Sequence, residues 1–143
     1  MRITRKAEFS SAHVCARPDW SEEQNRRVFG EAANPHGHGH NYILEVTLEG
    51  PPDPVTGMVL DLKTLKDVIN DEVIEPFDHK HLNHEVPPFN QVVPTTENIA
   101  RELWKRLDRH FPEGGARLQR IRLWETQDLY VDYHGPAGRR EAS

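Results

Sequence analysis

The stretch HGHNYILEVTLE, residues 38–49, decides the fold because its side chains alternate in character along its whole length. A period of two is typical of a β-strand, in which successive side chains point to opposite faces of a sheet. Two histidines share a face with apolar side chains, so we expect imidazoles that point inward. That face carries His38, His40, Tyr42, Leu44, Val46 and Leu48, and the other carries Asn41, Ile43, Glu45, Thr47 and Glu49.

The pattern on either side of this strand predicts an α+β domain. Residues 3–15 alternate in the same way, whereas residues 17–35 form a polar insertion without a period. Helical spacing follows Asp61, which can cap a helix that ends before Pro76. Thr95 or Thr96 can start a second helix that reaches Leu107 and extends toward Phe111. Two more strands, at 121–125 and 129–133, complete the order ββααββ and predict a four-stranded antiparallel sheet, with 135–143 as a frayed tail.

Length and composition limit the classes of protein to consider. The chain has 143 residues, of which 36% are hydrophobic and 29% charged, which predicts a single globular domain over 1–143. A net charge of −5 disfavours sequence-independent nucleic-acid binding, which needs a basic surface. No apolar run approaches the roughly 20 residues of a membrane span. The first residues lack a signal-peptide pattern, so we expect no membrane association and a cytoplasmic location.

Three histidines are candidates for a zinc site. His38 and His40 project to one side of a strand, and Gly37 and Gly39 give the backbone room around them. His13 lies on the apolar face of the first strand, so adjacent pairing of the two strands would place it beside them. Catalytic zinc keeps three protein ligands and one open position. The alternative is that His13 is a hydrogen-bonded core residue and that the H-x-H pair is solvated.

Two further groups of residues have a catalytic and a structural interpretation. Asp78 and His79, in the segment FDHKHLNHE, can form a carboxylate-oriented imidazole that carries protons, or they can be the polar end of a helix. Glu125 follows inward-facing residues, where a carboxylate without a partner is costly. A bound ligand or Arg122 could supply that partner.

Several linked motifs resemble those of the 6-pyruvoyl-tetrahydropterin synthase family, which includes the bacterial 6-carboxytetrahydropterin synthases. The resemblance runs from Ile3 to about Gly135, and its motifs occur in the family's order and spacing. They are FSSAH, NPHGHGHNY, DPVTGMV, DHKHLN, PTTEN and WETQD.

The resemblance implies a tunnelling fold in which three subunits close a barrel and two trimers stack into a hexamer, with active sites between subunits. It implies that zinc is bound by His13, His38 and His40, and that Glu125 anchors the pterin. Asp78 and His79 resemble the proton-relay pair. The pterin pocket would be lined by Thr95, Thr96 and Glu97. The implied substrate is 7,8-dihydroneopterin triphosphate, whose triphosphate is eliminated, with Mg²⁺ as a possible companion of the phosphates.

The chain departs from the family at Ala32, which stands where the pyruvoyl-type enzymes carry the cysteine that acts as base. One explanation is Cys15, whose thiol shares the parity of His13 and would have a lowered pKa near zinc; the alternative is a small buried hydrophobe. A second is Glu31, because a subgroup of the family uses Glu in an aldolase-like cleavage of dihydroneopterin. The third is a protein that binds zinc and pterin without synthase activity, or an altered residue at position 32.

The sequence therefore predicts a zinc-dependent pterin lyase that gives a 6-pyruvoyl- or a 6-carboxy-tetrahydropterin, in a biopterin or queuosine pathway. The aldolase-like reaction is the second hypothesis, and a non-catalytic binding protein is the third. An unrelated zinc module would bind metal but no pterin, and its zinc would be closed by a fourth protein ligand.

Overall fold

A computed structural model describes residues 1–137 of the chain. The described part contains one sheet with the strand order β3-β1-β2-β4-β5. Its four long strands pair antiparallel, as the sequence predicted, and the predicted α+β class is confirmed. The strands are β1 (Arg2–His13), β2 (His38–Glu49), β3 (Lys80–His81), β4 (Arg117–Thr126) and β5 (Leu129–Tyr133).

The fifth strand corrects the predicted count of four. Strand β3 has two residues and pairs parallel to the end of β1, through Ser11 with Lys80 and Ala12 with His81. Two residues are too few for a period to be visible in the sequence. Its effect is local, because it attaches the segment that contains Asp78 and His79 to the end of β1.

The predicted helices begin where their caps indicated. Asp61 accepts a hydrogen bond from the Lys63 N–H, and Thr95 accepts one from the Asn98 N–H. The first helix does not end before Pro76, because a π-helical turn, Asn70–Ile74, carries it into a further short helix. The helices are α1 (Glu22–Phe29), α2 (Leu62–Ile69), α3 (Glu75–Phe77), α4 (Leu82–Glu85) and α5 (Thr96–Asp108).

The polar insertion at 17–35 is partly helical, contrary to the sequence prediction. Helix α1 is capped by Ser21 and is followed by a 3₁₀ turn, Gly30–Ala33. Asn25 is its one buried residue and accepts from the Arg17 N–H at 2.8 Å. A helix that buries so little apolar surface has no apolar stripe to detect, which is why the sequence pattern missed it.

One face of the sheet packs against α2 and α5 and forms a single core. Leu44 and Val46 of β2 are fully buried there, together with Leu65 of α2 and Leu103 of α5. Burial of such side chains contributes roughly 1.5–3 kcal/mol each to folding. Among residues 1–137, no helix is long and apolar enough to cross a membrane.

Replacing Gly135 by alanine is expected to destabilise the chain by roughly 1–3 kcal/mol. Gly135 has φ +91°, and an added Cβ would lie 2.6 Å from Cζ2 of Trp104. Position 135 therefore packs against α5, although the sequence placed it in a frayed tail; residues 138–143 lie outside the described part. Gly114→Ala is the matched control, because Gly114 has φ +100° and no atom within 4 Å of the added Cβ. Equal losses in urea unfolding would contradict the packing explanation.

Candidate metal centre

The pairing of β1 with β2 brings the three predicted ligands together. His13 lies directly opposite His38, and His40 lies two residues further along β2. One ring nitrogen from each histidine lies within 4.8 Å of the other two. Nε2 of His13 and Nε2 of His38 are 3.0 Å apart. This convergence gives three nitrogen atoms directed at a common point, as a zinc ion requires.

The hydrogen bond at Nδ1 of His13 leaves the lone pair of its Nε2 directed toward the other histidines. Nδ1 of His13 lies 2.8 Å from the carbonyl oxygen of Pro94. A carbonyl only accepts, so Nδ1 carries the hydrogen and Nε2 keeps its lone pair, as in metal-binding histidines generally. Nε2 of His40 is buried and makes no hydrogen bond within residues 1–137, although Oε1 of Glu125 lies 3.2 Å from it. A buried nitrogen left unpaired in this way fits a zinc ligand.

Burial favours the neutral form of His13 and His40, which a metal ligand requires. Burial lowers the pKa of His13 to about 4, and the neighbouring His38 and His40 add to the effect. Burial also lowers the pKa of His40. At neutral pH both rings can therefore offer a lone pair without first losing a proton.

Glu125 lies at the edge of the histidine group. Its Oε1 is 3.2 Å from Nε2 of His40 and 3.8 Å from Nε2 of His13. The register of β4 with β5 shifts at this position, and such a bulge redirects a side chain. Arg122 is not the partner of Glu125, because its guanidinium binds Asp132 at 2.7 and 2.9 Å.

Asp78 and His79 form the predicted carboxylate–imidazole pair. Oδ2 of Asp78 lies 2.9 Å from Nδ1 of His79, and Oδ1 accepts the Ser10 N–H at 2.8 Å. The His79 N–H donates to the Ser10 carbonyl. The hydrogen bond from Ser10 is the main reason that the pKa of Asp78 lies below its usual value. The backbone of β1 thus holds the pair, while the His79 side chain is 83% exposed.

Two hollows meet at His40. One, of about 530 Å³, is lined by Ser10, His40 and His79, so it joins a candidate metal ligand to the relay pair. The other, of about 620 Å³, lies between His40, Trp124 and Glu125. Both volumes are in the range of small-molecule sites.

Cys15 is buried near the histidine group in the metal-free chain. The residue is 7% exposed, and burial raises the pKa of its thiol to about 11 instead of lowering it. Its Sγ lies 4.0 Å from the carbonyl oxygen of Pro94, the same oxygen that binds Nδ1 of His13. Within residues 1–137, the side chains close enough together to bind one metal ion are the three histidines, and the thiol of Cys15 is not among them.

The remaining predicted site residues do not line either hollow. Glu31 is exposed on the 3₁₀ turn, and Ala32 next to it accepts the Cys15 N–H at 2.8 Å through its carbonyl. Thr95 caps α5, Thr96 is buried and Glu97 is exposed in the first turn. None of these three residues of α5 lines either hollow.

The sequence prediction missed two residues near the metal centre, because they position site residues through backbone groups and not through side chains. The Pro94 carbonyl orients His13, and the Ser10 peptide groups hold Asp78 and His79. A backbone carbonyl or N–H is present at almost every residue, so residue type gives no signal for this role.

The metal-free chain is expected to lose stability as the pH falls from about 6.5 to about 4. The unfolded His13 binds a proton near pH 6.5, whereas the folded residue does so only near pH 4. In that window the unfolded state holds more protons, so the free energy of unfolding falls with pH, by up to roughly 3 kcal/mol from His13. Urea unfolding of the zinc-free chain at pH 7 and pH 5 measures the loss. A His13→Gln variant with the same pH slope would contradict this assignment.

An antiparallel sheet backed by helices on one face, with three converging histidines at one end of its strands, is the arrangement expected of a tunnelling-fold protein with a metal site. Sequence comparison gives the family. The family model described as 6-pyruvoyl tetrahydropterin synthase matches residues 2–136. The chain therefore belongs to the 6-pyruvoyl tetrahydropterin synthase family.

Individual relatives agree with this membership. The 6-pyruvoyl tetrahydrobiopterin synthase of Poecilia reticulata is 44% identical over 133 residues, which are 93% of this chain and 89% of the relative. The structure of the Caenorhabditis elegans 6-pyruvoyl tetrahydropterin synthase superposes with a TM-score of 0.89 at 33% identity, covering 95% of this chain and 96% of that one. The dihydroneopterin monophosphate aldolase of Pyrococcus furiosus is 34% identical over 131 residues, 92% of this chain and 95% of the relative.

Proposed function

We propose that this chain is a zinc-dependent lyase that eliminates triphosphate from 7,8-dihydroneopterin triphosphate. The product is a 6-pyruvoyl-tetrahydropterin or, when the outer two side-chain carbons are released as well, a 6-carboxy-tetrahydropterin. One observation supports the proposal most directly: His40 of the three-histidine group and His79 of the Asp78–His79 pair line the same hollow. Membership of a family of pterin synthases supports the choice of substrate.

The metal would be held by His13, His38 and His40. Bound there, zinc would polarise the oxygens of the substrate side chain and so acidify the adjacent C–H bond. Three ligands leave a position open for the substrate, as in catalytic zinc sites. Magnesium is proposed to accompany the triphosphate, because phosphate oxygens are its preferred ligands.

The other residues are proposed to bind the substrate and to move protons. Glu125 offers a carboxylate to the N–H groups of the pterin, with which it forms charge-assisted hydrogen bonds. Thr95, Thr96 and Glu97 are proposed to line the pterin pocket. Asp78 orients His79, and the imidazole transfers a proton while the C–O bond to the triphosphate breaks.

A residue other than Ala32 must remove the carbon-bound proton, because the alanine side chain has no ionisable atom. Cys15 is a poor choice, since its thiol is buried and does not belong to the group of converging histidines. The two remaining groups are Glu31, exposed on the turn beside Ala32, and the imidazole of His79.

A second candidate function is an aldolase-like cleavage of the dihydroneopterin side chain with Glu31 as base. Two observations favour it: the absence of a thiol at position 32, and the 34% identity to an archaeal dihydroneopterin monophosphate aldolase. Both functions use the same metal and the same pterin, so they differ in the bond that breaks.

A mass-resolved product assay distinguishes these functions. The zinc-loaded chain is incubated with 7,8-dihydroneopterin triphosphate, next to Glu31→Gln, His79→Ala and Cys15→Ser. Release of free triphosphate supports the lyase, whether or not two side-chain carbons leave as well, whereas a two-carbon fragment that still carries the triphosphate supports the aldolase. Loss of turnover in Glu31→Gln or His79→Ala identifies the base, and Cys15→Ser is expected to stay active. If calorimetry shows that the chain binds the pterin and no product forms, the chain is a pterin-binding protein without synthase or aldolase activity.

Two observations support a proposal about the oligomeric state: the resemblance to the pterin synthase family and the exposure of the His79 side chain. An imidazole that is 83% exposed in one chain is suited to a site completed by a second subunit. We propose a cytoplasmic homo-oligomer, a hexamer of two stacked trimers. Its mass in solution tests this.

A further inference from the structure

We propose that Asn98 is a positioning residue for the metal centre: its side-chain amide holds a turn at Pro94, and the carbonyl of that turn holds the ring of His13. The inference rests on the proposed zinc function, because His13 is one of the three proposed ligands. Asn98 is the last residue of the motif PTTEN and lies in the first turn of α5, outside both hollows. It would act through the turn and not by contact with the metal or the substrate.

The chain makes a three-residue turn immediately before α5. The Thr95 N–H donates to the Val93 carbonyl oxygen at 2.8 Å, which closes a γ-turn with Pro94 at its centre. The common form of this turn has a central φ of about −75°, and a proline ring fixes φ at about −65°. The ring of Pro94 therefore favours the turn before any side chain contributes to it.

Asn98 is bonded to the residues on both sides of Pro94. Its side-chain Nδ2 donates to the Val93 carbonyl at 2.9 Å, so that oxygen accepts two hydrogen bonds, one for each lone pair. Its backbone N–H donates to Oγ1 of Thr95 at 3.2 Å. Without the side-chain bond, the turn would depend on the proline ring and on one hydrogen bond between Thr95 and Val93. The amide of Asn98 thus sets the direction in which the Pro94 carbonyl points.

The Pro94 carbonyl passes this direction on to His13. It accepts the Nδ1–H of the imidazole at 2.8 Å, and because both residues are buried, water does not take its place. The bond fixes the tautomer and the orientation of the ring. His38 and His40 share β2, whereas His13 comes from β1. The Pro94 carbonyl is therefore the contact that aims the third ring at the other two.

The expected size of the effect follows from other metal sites. Removing a group that orients a metal-binding histidine through its second ring nitrogen typically weakens metal binding roughly 10–100-fold. Asn98 is one step further from the metal than such a group, because it acts on the turn that supplies the carbonyl. We therefore expect the lower end of this range, about 10-fold, when its donor is removed.

Asn98 has a second interpretation, which is that it stabilises α5 alone. The helix buries Ile99 and Leu103 in the core, so a weaker first turn would lower the stability of the whole chain. That role predicts an unchanged zinc affinity as long as the chain is folded. The two interpretations differ at the Val93 carbonyl, because Val93 lies outside the helix and its bond to Asn98 serves the turn.

Asn98→Asp separates the two interpretations. Aspartate has the shape of asparagine but cannot donate to the Val93 carbonyl, and an acidic side chain in the first turn suits the helix dipole. The helix should therefore be kept while the turn loosens. The dissociation constant for zinc, measured on the folded chain by competition with a chelator at pH 7, should rise about 10-fold. The added negative charge by itself would attract a cation, so it cannot be the cause of weaker binding.

A measurement without zinc keeps this test separate from the proposed function. Nitrogen NMR of the metal-free chain distinguishes the two tautomers of His13. We expect only the Nδ1–H tautomer in the unmodified chain and a mixture in Asn98→Asp. An unchanged tautomer in Asn98→Asp would overturn the proposal, and so would an unchanged affinity where the unmodified chain binds zinc. An unmodified chain that binds no zinc would contradict the proposed function, and the tautomer would still decide the role of Asn98.

Asp61→Ala is the matched control for a general loss of stability. Asp61 caps α2, where it accepts the Lys63 N–H at 3.1 Å, and it does not line either hollow. Loss of this cap should lower the melting temperature of the chain. The zinc affinity and the tautomer of His13 should both remain as in the unmodified chain. An equal loss of zinc affinity in Asp61→Ala and Asn98→Asp would overturn the specific role of Asn98.

Discussion

Replacing His38 by alanine is expected to lower the zinc content from about one ion per chain to below about one tenth, because a three-ligand site with one nitrogen missing has only two. Turnover of the pterin substrate should fall by at least roughly 10³-fold, since the polarising charge is lost with the metal. Metal analysis after dialysis, followed by the product assay, measures both quantities.

The effect should be specific to the histidines that converge. His36→Ala is the matched control, since His36 has the same residue type, lies two positions earlier and is exposed outside the group. It is expected to keep its zinc and its turnover. A His38→Ala chain that keeps one zinc, or equal loss in His36→Ala, would contradict the proposed ligand set.

Replacing Ala32 by cysteine is expected to raise the rate of triphosphate elimination. Where neither Glu31 nor His79 removes the carbon-bound proton, the gain should be roughly 10²–10⁴-fold, the usual contribution of a positioned general base. Position 32 is bonded through its carbonyl to the Cys15 N–H, two residues beyond His13. A thiol there is beside the strand end that carries a metal ligand, and proximity to bound zinc would lower its pKa. Single-turnover product formation measures the gain.

The neighbouring position supplies the control for this gain. Ala33→Cys adds the same thiol one residue further along the same 3₁₀ turn, where it should give little or no increase. A similar gain at both positions would show that any nearby thiol suffices. An unchanged rate for Ala32→Cys in a chain that already turns over would show that another base has replaced the cysteine.

The sequence by itself determined the order of the long elements, because their periods and caps are local properties. The strand 38–49 and the cap residues Asp61 and Thr95 are found where they were predicted. Helix α1 and β3 were not predicted, since the first buries little and the second has two residues. Periodicity detects an element only when that element buries one face over several residues.

For the candidate site, the identity of the residues could be predicted from the sequence, but their relative positions could not. The sequence supplied the identity of the histidines, of the Asp78–His79 pair and of Glu125, because imidazole and carboxylate groups are rare enough on an inward face to be noticed. Only the tertiary structure placed them relative to one another. The β1–β2 register made His13 and His38 neighbours, and the fold brought the Pro94 carbonyl to the far side of the His13 ring.

Cys15 shows most clearly what only the tertiary structure decided. Its parity on β1 suggested a thiol directed at the metal, with a lowered pKa. In the folded chain burial raises that pKa to about 11. Sequence specifies which groups are present and which face they occupy. The solvent and charge around each group are set by segments distant in the chain, and these determine its pKa.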